Sequence, residues 1–262
     1  MLIPRFYVPR SLVIGERVEL PEAVANHAVR VLRLQPGDPL VLFNGEGGAY
    51  TGYLQDKPVV SMNQNARQKR MPRETVAAVL LESYEPDDRA SGVRIRLWQG
   101  VSAAERMDFT WQKAVELGVH ACVPVETRRC VTRLDAARAE KRHAHWQGVI
   151  IAACEQCGLN RLPRLATVRT LAQALAEPDD GSVRVMLDPD ASESFPVWLE
   201  RQVGLTDLTI LIGPEGGFAP EELEAAQAVG FQCFRLGPRV FRTETAGPVA
   251  LAVTQAIAGD LR

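Results

Sequence analysis

The sequence has no apolar run long enough to span a bilayer and no amino-terminal signal-peptide pattern. Its five cysteines are an odd number without the spacing of a disulfide framework, which is typical of a reducing compartment. The formal net charge of −2 indicates no overall preference for nucleic acid. We therefore expect a soluble, cytoplasmic protein with no membrane partner.

Patterns for a bound metal or a phosphate cradle are also missing. Cys154 and Cys157 form one C-x-x-C without a second, near the end of a predicted helix, where the helix dipole disfavours a thiolate. His143 and His145 are two residues apart and so lie on different helix faces. Neither G-K-[ST] nor G-x-G-x-x-G occurs. We predict packing cysteines, no metal, and a ligand that is not held by its phosphates.

The 262 residues are 46% hydrophobic and 24% charged, enough for one large domain or two unequal ones. Residues 1–72 carry nine Lys or Arg against six Asp or Glu, a net charge of +3, which leaves −5 for the rest. Short strand-like runs fill this part, whereas strands and helices alternate after it, beginning with VAAVLLE. Polar and basic residues at Ser61–Arg73 are typical of a linker. We predict a small β domain over residues 1–72 and an α/β domain over residues 73–262.

The most informative stretch begins at Leu208. Leu208–Ile212 is a short apolar run, as expected for a strand buried on both faces of a parallel sheet. Three glycines follow within five positions, Gly213, Gly216 and Gly217, and they leave the backbone open to close approach by a ligand. Pro220 with two glutamates after it is a good helix start.

A second predicted strand, Phe231–Leu236, ends in another Gly-Pro turn and is followed by clustered Arg and Thr residues and one Glu. Open α/β sheets bind ligands beyond the carboxyl ends of their strands, so the two loops predict one shared site. The alternative is that both loops are ordinary turns between strands and helices.

Five motifs carry a family resemblance over nearly the whole chain: NHAVRVLRLQPGD, ERMDFTWQKAVELGV, AACEQCG, LIGPEGGF and LGPRVFRTETA. They resemble the knotted SPOUT methyltransferases, and specifically the RsmE family, which methylates uracil N3 in 16S ribosomal RNA. The resemblance implies a parallel α/β sheet with a C-terminal trefoil knot, preceded by a PUA-like β-barrel. It also implies S-adenosyl-L-methionine (SAM) as the cofactor, 16S ribosomal RNA of the small subunit as the substrate, and a homodimer.

The same resemblance implies the residues of the reaction site. Arg242 and Glu244 are expected to be catalytic, although Arg242 could instead be a structural arginine paired with Glu244. Because proline is best tolerated in a first helical turn, Pro248 predicts that the last helix begins near Thr245 and leaves Glu244 on the loop. The residues expected to bind the cofactor are Leu187, Asp188, Ile212, Gly213, Glu215, Gly217, Leu236, Gly237, Arg239, Val240, Thr245 and Ala246.

An RNA-binding face is expected on a predicted helix over Pro21–Leu34. Val24, Ala28, Val31 and Leu32 are spaced as its apolar side, and the basic residues recur at intervals of three on the other side, which could also be merely a solvated face. At Leu159 the sequence departs from the family, where we expect arginine, which puts RNA contacts there in doubt. The predicted RNA-binding residues are Arg5, His27, Arg30, Arg33, Arg128, Arg129, Glu155, Gln156 and Arg161.

Two other functions stay open at this point. A non-catalytic RNA-binding protein of ribosome assembly could keep the same fold, and a SPOUT methyltransferase could act on another RNA position. An intact Arg242-Thr243-Glu244-Thr245 cluster together with an intact GPEGG favours an enzyme, since a pure binding protein has little need of both.

Overall fold

The computed structural model describes residues 3–55, 59–60, 75–178 and 180–261. The chain divides into two compact units. The first comprises Met1–Arg89 together with Gly158–Leu162, and the second comprises Ala90–Cys157 together with Pro163–Arg262. Among the described residues, no helix is both long and apolar enough to cross a membrane.

The first unit is built on a five-stranded, mainly antiparallel sheet in the order β1-β3-β4-β7-β2. Inward-facing side chains such as Leu40, Leu42 and Val79 are fully buried and form its core. This small β unit agrees with the predicted barrel-like domain. Strands β5 and β6 form a separate pair. The strands are β1 (Arg5–Tyr7), β2 (Arg17–Glu19), β3 (Pro39–Phe43), β4 (Ala49–Leu54), β5 (Val59–Val60), β6 (Thr75–Val76) and β7 (Ala78–Glu85).

Strand β7 lies in the first unit, whereas the sequence predicted it as the first strand of the second domain. It pairs antiparallel with both β2 and β4, and it buries Val79 and Leu81 in the core of the first sheet. These long-range pairings carry the first unit through Arg89. The predicted linker Ser61–Arg73 and the predicted boundary at residues 72 and 73 lie outside the described residues.

The predicted helix over residues 21–34 is shorter and changes type. Helix α1 (Glu22–Asn26) continues into a π-helical turn over His27–Val31, where the Leu32 N–H bonds to the His27 carbonyl at 2.9 Å. The wider turn moves the apolar stripe, because residues no longer repeat every three to four positions. Ala28 is buried as expected, but Val31 and Leu32 are 68% and 43% exposed, so their predicted burial is wrong.

The second unit contains the predicted parallel sheet, in the order β10-β9-β8-β13-β12-β14, with β11 also paired to β9. Every strand pair in it is parallel. The strands are β8 (Arg94–Gly100), β9 (Ala121–Glu126), β10 (Arg164–Leu165), β11 (Arg169–Thr170), β12 (Val183–Leu187), β13 (Asp207–Ile212) and β14 (Gln232–Phe234). The helices are α2 (Ala104–Glu116), α3 (Ala136–Cys157), α4 (Leu171–Leu175), α5 (Phe195–Leu199), α6 (Pro220–Ala228) and α7 (Thr243–Ile257).

The glycine-rich loop follows the central strand of this sheet. Strand β13 lies between β8 and β12, and Leu208–Ile212 are buried, as its apolar sequence predicted. Helix α6 begins at Pro220, also as predicted, and the Glu222 carboxylate accepts a hydrogen bond from the Ala219 N–H at 2.9 Å. Because the strands are parallel, the loops after β8, β12, β13 and β14 leave the sheet at the same edge.

The last helix begins two residues earlier than predicted. Helix α7 starts at Thr243 with Arg242 as its N-cap, so Glu244 lies in the first turn and Pro248 lies inside the helix. Tertiary hydrogen bonds fix the early start, since the Thr243 hydroxyl donates to the Gly213 carbonyl at 2.6 Å. The prediction from Pro248 weighed only the preference of proline for the first turn and could not include this contact.

Candidate active site

A cavity of about 720 Å³ lies at the carboxyl edge of the parallel sheet. Its walls come from the loops after β12, β13 and β14, and from two arginines, Arg106 and Arg129. This volume is within the range of small-molecule binding sites. The cavity therefore lies at the carboxyl ends of the strands, where the two glycine turns predicted a shared ligand site.

The predicted cofactor residues collect at this cavity. All of them line it except Thr245, which lies in the first turn of α7, outside the lining. Arg242 and Glu244, the predicted catalytic pair, also line the cavity. The cavity thus brings together residues that follow three separate strands, β12, β13 and β14.

The glycine loop after β13 needs its glycines for two different reasons. At Gly216, an added Cβ would lie 3.0 Å from both the Cβ and the carbonyl oxygen of Arg129, so the close packing of two loops leaves no room. Gly217 has a φ of +66°, in the left-handed region that side chains disfavour. The loop therefore presents bare backbone to the cavity in a conformation that other residues adopt only with strain.

One buried hydrogen-bond chain joins the two main loops of the cavity. The fully buried Gln99, near the end of β8, donates from Nε2 to the Thr243 hydroxyl at 2.8 Å, and that hydroxyl donates to the Gly213 carbonyl. The start of α7 is thereby tied to the strands on which the glycine loop is built. Both Thr243 and Gln99 were absent from the predicted site.

The ion pairs of the cavity differ from the Arg242–Glu244 pair that the sequence left open as an alternative. Arg106 donates to Glu215 at 2.5 Å, and its Nε lies 3.7 Å from Glu244 Oε1. Glu244 Oε2 is buried without a hydrogen-bond partner among the described residues. Arg242 is exposed, and within the described part of the chain its side chain has neither an ion pair nor a hydrogen bond. The alternative that Arg242 is held by Glu244 is therefore wrong.

Arg106 is the main cavity residue that the sequence did not predict. It is the third residue of α2, which follows the end of β8, and this position puts its side chain at the same edge as the loops after β13 and β14. The available signal was its place in the ERMDFTWQKAVELGV motif, but its carboxylate partners are more than a hundred residues further along the chain.

Two of the predicted RNA-binding arginines lie beside the glycine loop. Arg129 lines the cavity and donates from NH1 to the Gly216 carbonyl at 3.2 Å. Arg128 donates its backbone N–H to Glu222, while its exposed guanidinium lies 3.5 Å from Glu221. Glu155 and Gln156, in the last turn of α3, do not line the cavity.

The predicted RNA-binding residues of the first unit fall into two groups. Arg5 and Arg161 are held within the unit: Arg5 donates to the Asn160 side chain, and Arg161 pairs with Asp88 at 2.8 Å. Leu159, which stands where we expected arginine, is buried. By contrast, the side chains of His27, Arg30 and Arg33 are exposed.

No cluster of three His, Cys, Asp or Glu side chains that could hold a metal ion is found in residues 3–55, 59–60, 75–178 and 180–261. The five cysteines are free. Cys154 is buried against the sheet unit, in accord with its predicted packing role.

The parallel sheet with a cavity at its carboxyl edge, and the small β unit that precedes it in the chain, correspond to two known domain families. The sequence matches the RNA methyltransferase domain over residues 89–255 and the RNA methyltransferase PUA domain over residues 20–58. The chain belongs to this RNA methyltransferase family.

Relatives of this chain carry names that specify the RNA they methylate. The chain is 29% identical over 259 residues to ribosomal RNA small subunit methyltransferase E of Buchnera aphidicola, covering 99% of this chain and 98% of the relative. It is 31% identical over 229 residues to the enzyme of the same name from Mycobacterium bovis, covering 86% and 80%.

Two solved structures resemble the whole chain. A methyltransferase from Legionella pneumophila in complex with the bound cofactor SAM is 34% identical, with a TM-score of 0.86 and full coverage of both chains. Ribosomal RNA small subunit methyltransferase E from Neisseria gonorrhoeae, bound to S-adenosyl methionine, is 33% identical, with a TM-score of 0.84 and full coverage of both.

Proposed function

We propose that this protein transfers a methyl group from SAM to N3 of a uracil in the 16S ribosomal RNA of the small subunit, in the cytoplasm. The observation that carries the proposal is the cavity, which is lined by bare glycine backbone, by Glu244 and by Arg242, whose side chain has no partner among the described residues. The relatives named as small-subunit ribosomal RNA methyltransferases supply the expected RNA.

The cavity fits SAM in both size and chemistry. Its volume of about 720 Å³ suits a ligand of this size, and the backbone at Gly213, Gly217 and Gly237 carries no side chain that would keep an adenine and a ribose away. Apolar side chains at Leu187, Ile212 and Leu236 provide contacts for the ring. When bound, SAM supplies a methyl group already activated on a sulfonium, so no metal is needed.

The chemistry at uracil makes two demands on the chain. N3 carries a proton at neutral pH and lies on the base-pairing edge, so the base must be unpaired or flipped before it can react. Negative charge then develops on the uracil carbonyl oxygens as N3 loses its proton, and a fixed donor beside them stabilises it. Arg242, which is exposed at the cavity and has no side-chain partner in the part of the chain that the structure describes, is the proposed donor.

Glu244 is the proposed proton acceptor. Its Oε2 has no hydrogen-bond partner in the described part of the chain, whereas Oε1 faces Arg106. In the proposed step, N3 bonds to the methyl carbon with the electron pair of its N–H bond, and the proton passes to the Glu244 carboxylate. The carbon–sulfur bond breaks with its electron pair remaining on sulfur, so charges and atoms balance.

RNA binding is proposed for two surfaces. In the first unit, His27, Arg30 and Arg33 are exposed along and just after the π-helical turn, and Arg33 has a φ of +59°, which orients its backbone away from the helix. In the second unit, Arg128 and Arg129 lie next to the glycine loop. Because Arg5 and Arg161 have partners within their own unit, we assign them a structural role instead.

A homodimer and a C-terminal trefoil knot belong to the same proposal. The order β8-β13-β12-β14 supports threading, since the chain runs to the sheet edge at β14 and then returns in α7, whose Thr243 bonds to Gln99 of β8. Sedimentation of the purified protein at several concentrations tests the dimer, and a monomer at all of them contradicts it.

Methyl transfer is tested by incubating the protein with methyl-labelled SAM and small-subunit ribosomal RNA or assembled small subunits. Label in the RNA fraction supports the proposal. Large-subunit RNA serves as the matched control, because it offers similar phosphate chemistry without the proposed target. Equal labelling of both, or labelling of neither in any form, contradicts the proposed substrate.

A further inference from the structure

Arg106 lines the cavity but has no part in the proposed chemistry. It lies close to one carboxylate in the glycine loop and to another in α7. Arg106 donates from NH1 to Glu215 of the glycine loop at 2.5 Å, and its Nε lies 3.7 Å from Oε1 of Glu244 in α7. Arg106 lies in α2, which follows β8, whereas Glu215 follows β13 and Glu244 follows β14. The segments after three strands therefore meet at one guanidinium.

We infer that Arg106 is a positioning residue for methyl transfer, which holds the Glu244 carboxylate in the wall of the cavity where a base would bind. The inference rests on the proposed function. A guanidinium offers several N–H donors in a fixed planar fork, so it can fix two carboxylates at once in defined directions. Oε1 of Glu244 lies on the side of Arg106, while Oε2 is buried and has no hydrogen-bond partner among the described residues.

The charges in the cavity explain why such a cation is needed. Glu215 and Glu244 both approach Arg106, and without a cation between them the two carboxylates would repel one another across the site. Glu244 has a side chain only 15% exposed, so water screens it poorly. Arg106 neutralises one of the two negative charges and leaves the other for the substrate proton.

The Glu244 carboxylate that Arg106 positions also influences whether the site accepts uracil or cytosine. A carboxylate oxygen accepts a hydrogen bond, and uracil presents an N–H at N3, whereas cytosine presents a lone pair there. A fixed Glu244 carboxylate therefore attracts uracil and repels cytosine at the same place. Releasing Glu244 by removing Arg106 weakens the alignment that this preference requires.

The test is a cycle of full-length variants: Arg106→Ala, Glu244→Ala, the double variant, and Arg106→Lys. Lys113→Ala is the matched control, because it removes from the same helix a cation paired with a carboxylate, Glu116, away from the cavity. Single-turnover rates are measured at saturating SAM and RNA, SAM affinity is measured by calorimetry, and unfolding is measured in urea without ligand.

We expect Arg106→Ala to lower the rate about 10- to 100-fold, because a misplacement of about 1 Å in a reacting geometry can cost about 100-fold, and to lower SAM affinity by a smaller factor. Arg106→Lys should recover part of the rate, and Lys113→Ala should retain all of it. In the Glu244→Ala background, removing Arg106 should cost little more. A full rate in Arg106→Ala, or equal losses in both backgrounds, overturns the inference.

The urea unfolding measurements test the contact between Arg106 and Glu244 independently of catalysis. If Arg106 holds Glu244, their effects on the unfolding equilibrium constant are coupled by at least about twofold. The absence of coupling overturns the inference even in an active enzyme. A wild-type protein that leaves uracil unmethylated but shows the coupling instead contradicts the proposed function, so the two failures are distinguishable.

Discussion

The Thr243 hydroxyl donates to the Gly213 carbonyl at 2.6 Å and accepts from the buried Gln99 amide at 2.8 Å. This one side chain therefore fixes the start of α7 against the glycine loop. The two loops carry the proposed cofactor contacts and the proposed catalytic groups, so their mutual position depends on a contact between residues 30 apart in sequence.

Thr243→Val tests this link. The variant keeps the shape of the side chain but removes its hydroxyl, so the Gln99 amide and the Gly213 carbonyl lose a partner in a buried place. We expect the free energy of unfolding to fall by about 1–3 kcal/mol, and SAM affinity to fall with it. Urea unfolding and calorimetry measure both. Thr243→Ser should restore them, and Thr245→Val, outside the cavity lining, should leave SAM affinity unchanged.

Gly217→Val should abolish SAM binding without unfolding the chain. The glycine lines the cavity at a φ of +66°, where a branched side chain is strained and also covers backbone that the cofactor needs. Gly204→Val is the matched control, since Gly204 has a φ of +70° on an exposed loop outside the cavity. Unchanged SAM affinity in Gly217→Val, or equal loss in both variants, contradicts the assignment of this loop.

Arg242→Ala should lower the methyl-transfer rate by about two orders of magnitude, the usual cost of removing one donor to a developing oxyanion. SAM affinity should change little, because the side chain has no partner that its removal would leave unpaired. Single-turnover rates at saturating RNA, measured beside SAM binding, decide this. Arg201→Ala, an exposed arginine outside the cavity, is the control. If rate and binding fall together, Arg242 is structural.

Arg30→Gln with Arg33→Gln should weaken RNA binding and leave SAM affinity intact. If both arginines contact phosphate, the dependence of the binding constant on salt concentration should become shallower by about one unit of slope per lost contact. Arg10→Gln with Arg17→Gln removes the same charge from the same unit at surface ion pairs. Equal weakening by both pairs of substitutions would point to net charge rather than to a binding surface.

Asp207 provides a pH prediction at the opposite edge of the sheet. Its hydrogen bond with Arg94 holds the pKa of the Asp207 carboxyl below its usual value, with Arg96 adding to the effect. The stability from this pair is therefore present above about pH 4, the usual carboxyl pKa, and is lost as the pH falls through the lower folded-state pKa. Asp207→Asn should be less stable than wild type at pH 7 and lose less stability on acidification, as followed by urea unfolding.

The sequence predicted best where the pattern is local. The buried strand at Leu208–Ile212, its glycine turn and the helix starting at Pro220 all depend on neighbouring residues, and all are confirmed. The start of α7 was wrong because a contact from Thr243 to a distant loop outweighs the preference of Pro248.

Strand β7 and Arg106 were missed for one reason, which is pairing over long sequence separation. Strand β7 joins the first sheet through partners in β2 and β4, and its own residues do not specify which sheet it enters. Arg106 reaches Glu215 and Glu244 only after the parallel sheet has brought three strand ends together. Val31 is exposed because a π-helical turn, which has no clear sequence signal, shifts the helix faces.

The proposed reaction is tested most directly by mass spectrometry of nucleosides from small-subunit ribosomal RNA that has been treated with the protein and SAM. RNA that lacks the modification beforehand should gain 3-methyluridine, about one per molecule at completion, and Arg242→Ala should form it far more slowly. RNA in which another methylated nucleoside accumulates, or none does, contradicts uracil N3 as the target.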